Sequence, residues 1–207
     1  MVEWSIAACR AAGSVDSIVV ACPPGHVHEL GGRDLRVVDG GATRAQSVSN
    51  ALAAVGTELV AIHDAARPLL TAELIEDVVA TLVADADADA AIAASPVTDT
   101  IKQVASLNVG TAPGCNVLRS STDRKTLHPV ERTLDRERLW AAQTPQVFRV
   151  EALRAALAGD PDQVAAATDE AMLVEAAGGR VLIHPSSPEN FKVTTPLDLR
   201  LAESLLT

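Results

Sequence analysis

Apolar positions recur at helical spacing over residues 2–12, 44–54, 72–83, 150–157, 168–177 and 197–206, so the chain is expected to form six helices there. Between them lie short β-rich runs: "SIVVAC" at 17–22, "LRVVD" at 35–39, "LVAIHD" at 59–64, "AAIAASPV" at 90–97 and "RVLIHP" at 180–185. Strands alternating with helices predict an α/β fold, a mostly parallel sheet flanked by helices on both faces.

From 103 to 129 the texture changes. Gly, Pro, Ser, Thr and Asn are scattered there without helical period, which predicts a long excursion from the sheet rather than a second domain. The expected organisation is one domain over 1–207 with an arm or insertion at about 98–139. The repeat "ADADADA" at 84–90 is read as a solvated helix end or loop, because alternating carboxylates without a Gly turn do not make a calcium loop. His26 and His28 in "PPGHVHEL" have no third ligand nearby in sequence and are read as surface loop.

Composition narrows the class. With 207 residues, 48% of them hydrophobic, the chain is long enough to bury one core. A net charge of -10 and a pI near 4.9 disfavour binding of nucleic acid or an anionic membrane through a generally basic surface, so any anionic ligand must meet locally placed cations. No run approaches the roughly 20 apolar residues of a spanning helix, and "MVEWSIAACRAAG" has neither a basic n-region nor an apolar h-region. The expectation is a cytoplasmic protein. Cys9, Cys22 and Cys115 are widely spaced and are read as reduced thiols.

The stretch "LVAIHDAARPLL" at 59–70 carries chemistry at a strand end: an apolar run is cut off by His63, Asp64 and Arg67. Ligands of open α/β sheets bind beyond such ends. An Asp there can hold Mg2+ and an Arg three residues on can grip phosphate, or the two can close the loop as a structural pair. In "VDGGATRAQSVSNAL", Gly40 and Gly41 let backbone approach a ligand before a helix begins, and Ser47 either bonds a nucleobase edge or faces solvent. "SPVTDTIK" supplies Asp99, Thr100 and Lys102. "TLDRERLWAAQTPQVF", "AATDEAMLVE" and "PENFKVTTPLDL" each set Thr beside charge, which suits a phosphorylated polyol and equally suits caps and turns.

Six blocks in order, "GGATRAQSV", "VAIHDAARP", "PVTDTIK", "LDRERLWAAQTPQVF", "ATDEAMLVE" and "NFKVTTPLDLRLAE", resemble the 2-C-methyl-D-erythritol 4-phosphate cytidylyltransferases. The resemblance implies a Rossmann-like nucleotidyltransferase fold with a projecting β-arm, and cytidylyl transfer from CTP to methylerythritol phosphate with release of pyrophosphate, in the non-mevalonate isoprenoid pathway. It implies Gly40, Gly41 and Ser47 against the cytosine and ribose of CTP, backbone of Ala65 on the nucleotide, and Mg2+ on Asp64. Arg67, Thr100, Thr144 and Thr168 would line the polyol phosphate pocket, with Arg136 and Lys192 positioning its phosphate. It further implies a homodimer in which Arg136 reaches the site from the partner subunit on an exchanged arm.

The resemblance also carries two departures. Family members begin with a strand and a Gly-rich basic loop around the triphosphate, whereas this chain starts at the following helix, so the resemblance implies an N-terminally incomplete domain with such a segment encoded upstream of Met1. The 103–129 excursion is longer than the family's usual connection. The alternatives are cytidylyl transfer to ribitol 5-phosphate, which Ala66 in "HDAARP" argues against, and an inactive remnant that only dimerises or binds.

Overall fold

The computed structural model describes residues 1–26, 35–105 and 128–206. Its elements run α1 (Val2–Ala11), β1 (Ile18–Cys22), β2 (Leu35–Asp39), α2 (Arg44–Leu52), β3 (Leu59–Ile62), α3 (Ala72–Ala84), β4 (Ala90–Pro96), β5 (Lys102–Val104), β6 (Val130–Thr133), β7 (Trp140–Arg149), α4 (Val150–Leu157), α5 (Pro161–Ala166), α6 (Glu170–Ala176), β8 (Val181–Pro185) and α7 (Pro196–Leu205). All six expected helices and all five expected β-runs are present within a few residues of their expected bounds.

Local chemistry explains the helix starts. Thr43, Thr71 and Thr195 each sit before a helix in extended conformation and accept a hydrogen bond from the backbone N–H of the third residue of α2, α3 and α7, which satisfies a donor the helix cannot. At α7, Asp198 returns a bond to the backbone N–H of Thr195, completing a capping box. Asp169 caps α6 through Met172 N–H. The repeat at 84–90 falls between α3 and β4, where Asp85 pairs with Arg180 at 2.8 Å and Asp89 accepts from Arg180 N–H.

The expected mostly parallel sheet is not what forms. Among the described residues there are three small sheets: β1 pairs parallel with β2, a four-stranded sheet has the order β3-β7-β4-β8, and β5 pairs with β6. In the four-stranded sheet β4 and β8 are parallel, but β7 runs antiparallel to β3, with Val60 opposite Phe148 and Ile62 opposite Gln146. The cause is β7 itself, a ten-residue strand that the apolar pattern conceals. Its inner half carries Gln143, Thr144 and Gln146, which are buried, and Pro145, a residue that argues against a strand interior.

The chain divides into two compact units, Met1–Ser95 with Ala142–Thr207, and Pro96–Ala141. The core of the first lies on both faces of β4 and β7. Ala90, Ile92 and Phe148 pack with Leu153 of α4 and Val174 of α6, while Ala91, Ala93 and Val147 pack with Val78 and Leu82 of α3. Small residues along β4 let helices approach closely from either side, and burying Phe148 alone contributes roughly 1.5–3 kcal/mol. In the second unit β5 and β6 form an antiparallel pair with Lys102 opposite Thr133, joined side to side by Lys102 Nζ donating to Thr133 Oγ1 at 2.7 Å and Arg132 Nε to Gln103 Oε1 at 2.8 Å. Residues 106–127 of the expected excursion, with Cys115, and His28 lie outside the described residues. Cys9 and Cys22 are thiols outside any disulfide. No described helix is long and apolar enough to cross a membrane.

Candidate functional site

Strand β3 ends at Ile62, and the chain turns so that Arg67 N–H donates to Asp64 O at 2.9 Å. The turn projects the Asp64 carboxylate between two cations. Its Oδ1 accepts from Arg44 Nε and Nη2, at 3.3 and 3.2 Å, and its Oδ2 accepts from Lys192 Nζ at 2.9 Å. Burial alone would raise the Asp64 pKa, but the Lys192 hydrogen bond and the Arg44 charge outweigh it and hold the carboxyl below its ordinary value. Lys192 comes from the segment between β8 and α7, which the backbone bond from Val193 N–H to Ala66 O ties to the same turn.

Arg44 is not among the residues that the sequence singles out, although it lies inside the block "GGATRAQSV". It is the first residue of α2, and its Nη1 also donates to Glu170 Oε2 at the start of α6. Glu170 is only 1% exposed. Burial pushes its carboxyl up while the Arg44 cation pulls against it, so the pair stands or falls together. One signal is available: a cation in the first turn of a helix opposes the helix dipole, so Arg44 needs a carboxylate partner from elsewhere.

His63 and Thr144 fix the same turn from behind. His63 Nε2 lies 3.1 Å from Arg67 O, which can only accept, so Nε2 carries the proton and Nδ1 is the acceptor. Thr144 therefore donates its hydroxyl to Nδ1 at 2.9 Å, and the same oxygen accepts Asp64 N–H at 3.1 Å. Burial, the largest cause, lowers the His63 pKa from 6.5 to about 4. The imidazole stays neutral in the fold below pH 6.5 while the unfolded chain takes up a proton. Stability should thus fall as pH drops from 6.5 towards 4 and then level, by up to about 3 kcal/mol at 1.36 kcal/mol per unit. Urea titrations across pH 7 to 4 would reveal this slope, and a His63→Asn variant should lose that part of it; an unchanged slope in the variant would assign it to other groups.

Arg67 is committed differently from the expected phosphate grip. Its Nη1 donates to Asn190 O at 2.7 Å and its Nη2 to Ala142 O at 3.3 Å, while Nε is buried without a hydrogen-bond partner. Asn190 is itself buried and donates to Thr144 O and Gln143 Oε1, so one network joins the Asp64 turn, β7 and the Lys192 segment.

Asp64, Arg67, Thr144, Thr168 and Lys192 border one small cavity of about 230 Å3, together with Arg44 and Asp169. That volume lies below the roughly 300 Å3 at which drug-sized pockets begin, so it suits a small polar ligand. A larger cavity of about 760 Å3 is lined mostly by aliphatic side chains of β1, β3, α1 and α2, and reaches Arg44, Ser47, Asp64 and Ala65 at one end. The charge, and with it the chemistry, is concentrated at the small cavity and at this end of the large one. Ser47 Oγ donates to Thr43 O and accepts Gly41 N–H, both at 3.0 Å. Gly40 and Gly41 lie in this loop, and a Cβ on Gly41 would meet Gln46 side-chain carbons at 2.4 Å, so close packing on α2 already favours glycine there. Thr168 Oγ1 faces Met172 Sδ at 3.9 Å. Thr100 and Arg136 belong to the second unit, where Arg136 Nη1 donates to Thr98 O at 2.6 Å. Among the described residues no three or more His, Cys, Asp or Glu side chains cluster in a way that could hold a metal by themselves.

The sequence model of the family described as IspD, 2-C-methyl-D-erythritol 4-phosphate cytidylyltransferase, matches residues 1–207. The chain is 43% identical over 207 residues to the bifunctional enzyme IspD/IspF of Anaeromyxobacter dehalogenans (strain 2CP-C), covering 97% of this chain and 48% of that protein. It is 41% identical over 202 residues to the 2-C-methyl-D-erythritol 4-phosphate cytidylyltransferase of Symbiobacterium thermophilum, covering 93% of this chain and 74% of that one. Its fold matches the crystal structure of the 2-C-methyl-D-erythritol 4-phosphate cytidylyltransferase from Thermus thermophilus with a TM-score of 0.75 and 32% identity, over 99% of this chain and 87% of that chain. The chain spans about half the length of the bifunctional relative.

Proposed function

Because the chain belongs to the IspD family of 2-C-methyl-D-erythritol 4-phosphate cytidylyltransferases, we propose that it transfers a cytidylyl group from CTP to 2-C-methyl-D-erythritol 4-phosphate. The observation that supports this most is the Asp64 carboxylate held between Lys192 and Arg44 on the border of the small polar cavity. In the reaction a phosphate oxygen of the acceptor forms a bond to the α-phosphorus of CTP, the bond from that phosphorus to the bridging oxygen breaks, and pyrophosphate leaves. Two anions must approach each other, so the work of the site is to offset charge and to hold the reactants in line.

Lys192 fits the central role. Its side chain is 46% exposed and bonded to Asp64, so the ammonium can turn to an incoming phosphate without a buried charge being left alone. Asp64 is the residue that would hold Mg2+, which commonly binds through one or two carboxylates plus substrate phosphates and so fits a single carboxylate beside a phosphate pocket. Bound there, the ion would supply positive charge to the phosphates. Thr168 and Arg67 would line the acceptor pocket, Arg67 chiefly as a fixed charge because both its Nη atoms are bonded to carbonyls. Thr144 would shape the wall and hold the Asp64 backbone, since its hydroxyl proton is already given to His63. Gly40, Gly41, Ser47 and Ala65 would meet the nucleoside of CTP. Thr100 and Arg136 would complete the acceptor site from the arm, Arg136 across a homodimer, a reading that the largely exposed antiparallel pair β5 and β6 supports.

The test is pyrophosphate release from CTP and Mg2+ with each of two acceptors. Methylerythritol phosphate should be turned over at least tenfold faster, by kcat/KM, than ribitol 5-phosphate. The opposite preference would reassign the acceptor, and no release with either would leave a binding protein.

A further inference from the structure

We infer that Glu170, acting through Arg44, is a positioning residue for the transfer: it locks the guanidinium that fixes one oxygen of Asp64, leaving the other oxygen to Lys192, whose ammonium can move to the incoming phosphates. The inference rests on the function proposed above. Glu170 borders neither cavity, whereas Arg44 and Asp64 border both, so Glu170 can affect a ligand only through its partner.

The geometry separates the two oxygens of Asp64. Oδ1 takes Nε and Nη2 of Arg44, and the remaining edge of that guanidinium goes to Glu170 Oε2. Arg44 is thus held at both ends, by a carboxylate on the β3 turn and by one at the start of α6, and a planar fork spanning two anions has little freedom to rotate. Lys192 on Oδ2 makes one contact from a half-exposed side chain and can leave. Asp64 accordingly offers one fixed and one exchangeable oxygen. Without Glu170 the guanidinium would keep only Asp64, and could swing with it or turn to the phosphates.

The experiment compares Glu170→Gln, Asp64→Asn and the double variant by steady-state kinetics and by thermal unfolding. Glu170→Gln keeps size and should lower kcat roughly tenfold while the KM values for CTP and acceptor change less than about twofold. In the Asp64→Asn background it should add no further loss of kcat. Arg44→Lys should reproduce the Glu170→Gln kinetics, because an ammonium cannot span both carboxylates. The Tm shifts of Glu170→Gln and Asp64→Asn should not sum in the double variant. A wild-type kcat in Glu170→Gln, or a full multiplicative loss in the double variant with additive Tm shifts, would overturn the inference. If the unvaried chain itself releases no pyrophosphate, the proposed function falls, and the Tm cycle alone then decides whether Glu170 holds Asp64 through Arg44.

Discussion

Lys192→Ala should lower kcat by at least a hundredfold, with folding intact. The residue is about half exposed and makes one hydrogen bond, to Asp64 Oδ2, so its removal leaves Asp64 still paired with Arg44 and the core untouched. The loss falls on the transition state, where a single preorganised electrostatic contact is worth about 3 kcal/mol, roughly a hundredfold in rate. Asp64→Asn should cost as much, because an amide neither holds Mg2+ well nor balances the two cations beside it. The measurement is kcat and KM for both substrates, with circular dichroism as the control of fold. Turnover within threefold of the unvaried chain in either variant would remove that residue from the mechanism.

Mixing inactive Arg136→Ala subunits with inactive Lys192→Ala subunits should restore activity from near zero to roughly a quarter of the unvaried level, if Arg136 serves its partner's site in a twofold dimer. Random exchange makes half of the dimers mixed, and each mixed dimer assembles one site with both wild-type residues and one with neither. The basis is the family resemblance together with the position of Arg136, which is exposed in a short turn after β6 and donates to the backbone carbonyl of Thr98 rather than to a carboxylate. Activity is followed as pyrophosphate release after subunit exchange proven by native mass spectrometry. Exchange without recovery would place Arg136 in its own subunit's site or outside the reaction.

Six of the seven described α-helices, all but the six-residue α5, are legible in the sequence because their information is local. Apolar residues at helical spacing and a capping Thr or Asp lie within one or two turns of each other, as at Thr43 for α2 and Thr195 for α7. Asp64 is legible as a candidate because it cuts off an apolar β-run at a strand end, where open α/β sheets bind their ligands. Lys192 stands out by its setting in the block "NFKVTTPLDLRLAE" rather than by any periodicity. By contrast, the alternation that marks a strand is lost in β7, where Gln143, Thr144 and Gln146 are buried and hydrogen-bonded to partners on other segments: Gln143 to Ser187 O, Thr144 to His63 and Gln146 to Asp169.

Every helix except the short α5 at Pro161–Ala166, five of the eight described strands and the candidate at Asp64 can be read from the residues in order, since each depends on neighbours a few residues apart. The placement of β3 beside β7 in antiparallel register cannot, and with it comes the meeting of Thr144 with Asp64 N–H across 80 residues of chain. Nor can the bridge by which Arg44 joins Asp64 to Glu170, 126 residues from Arg44. Strand direction and charge pairing at such separations follow from how whole elements pack. A buried charge such as Glu170 is tolerable only because packing delivers its counter-charge, and no local pattern records which residue that will be.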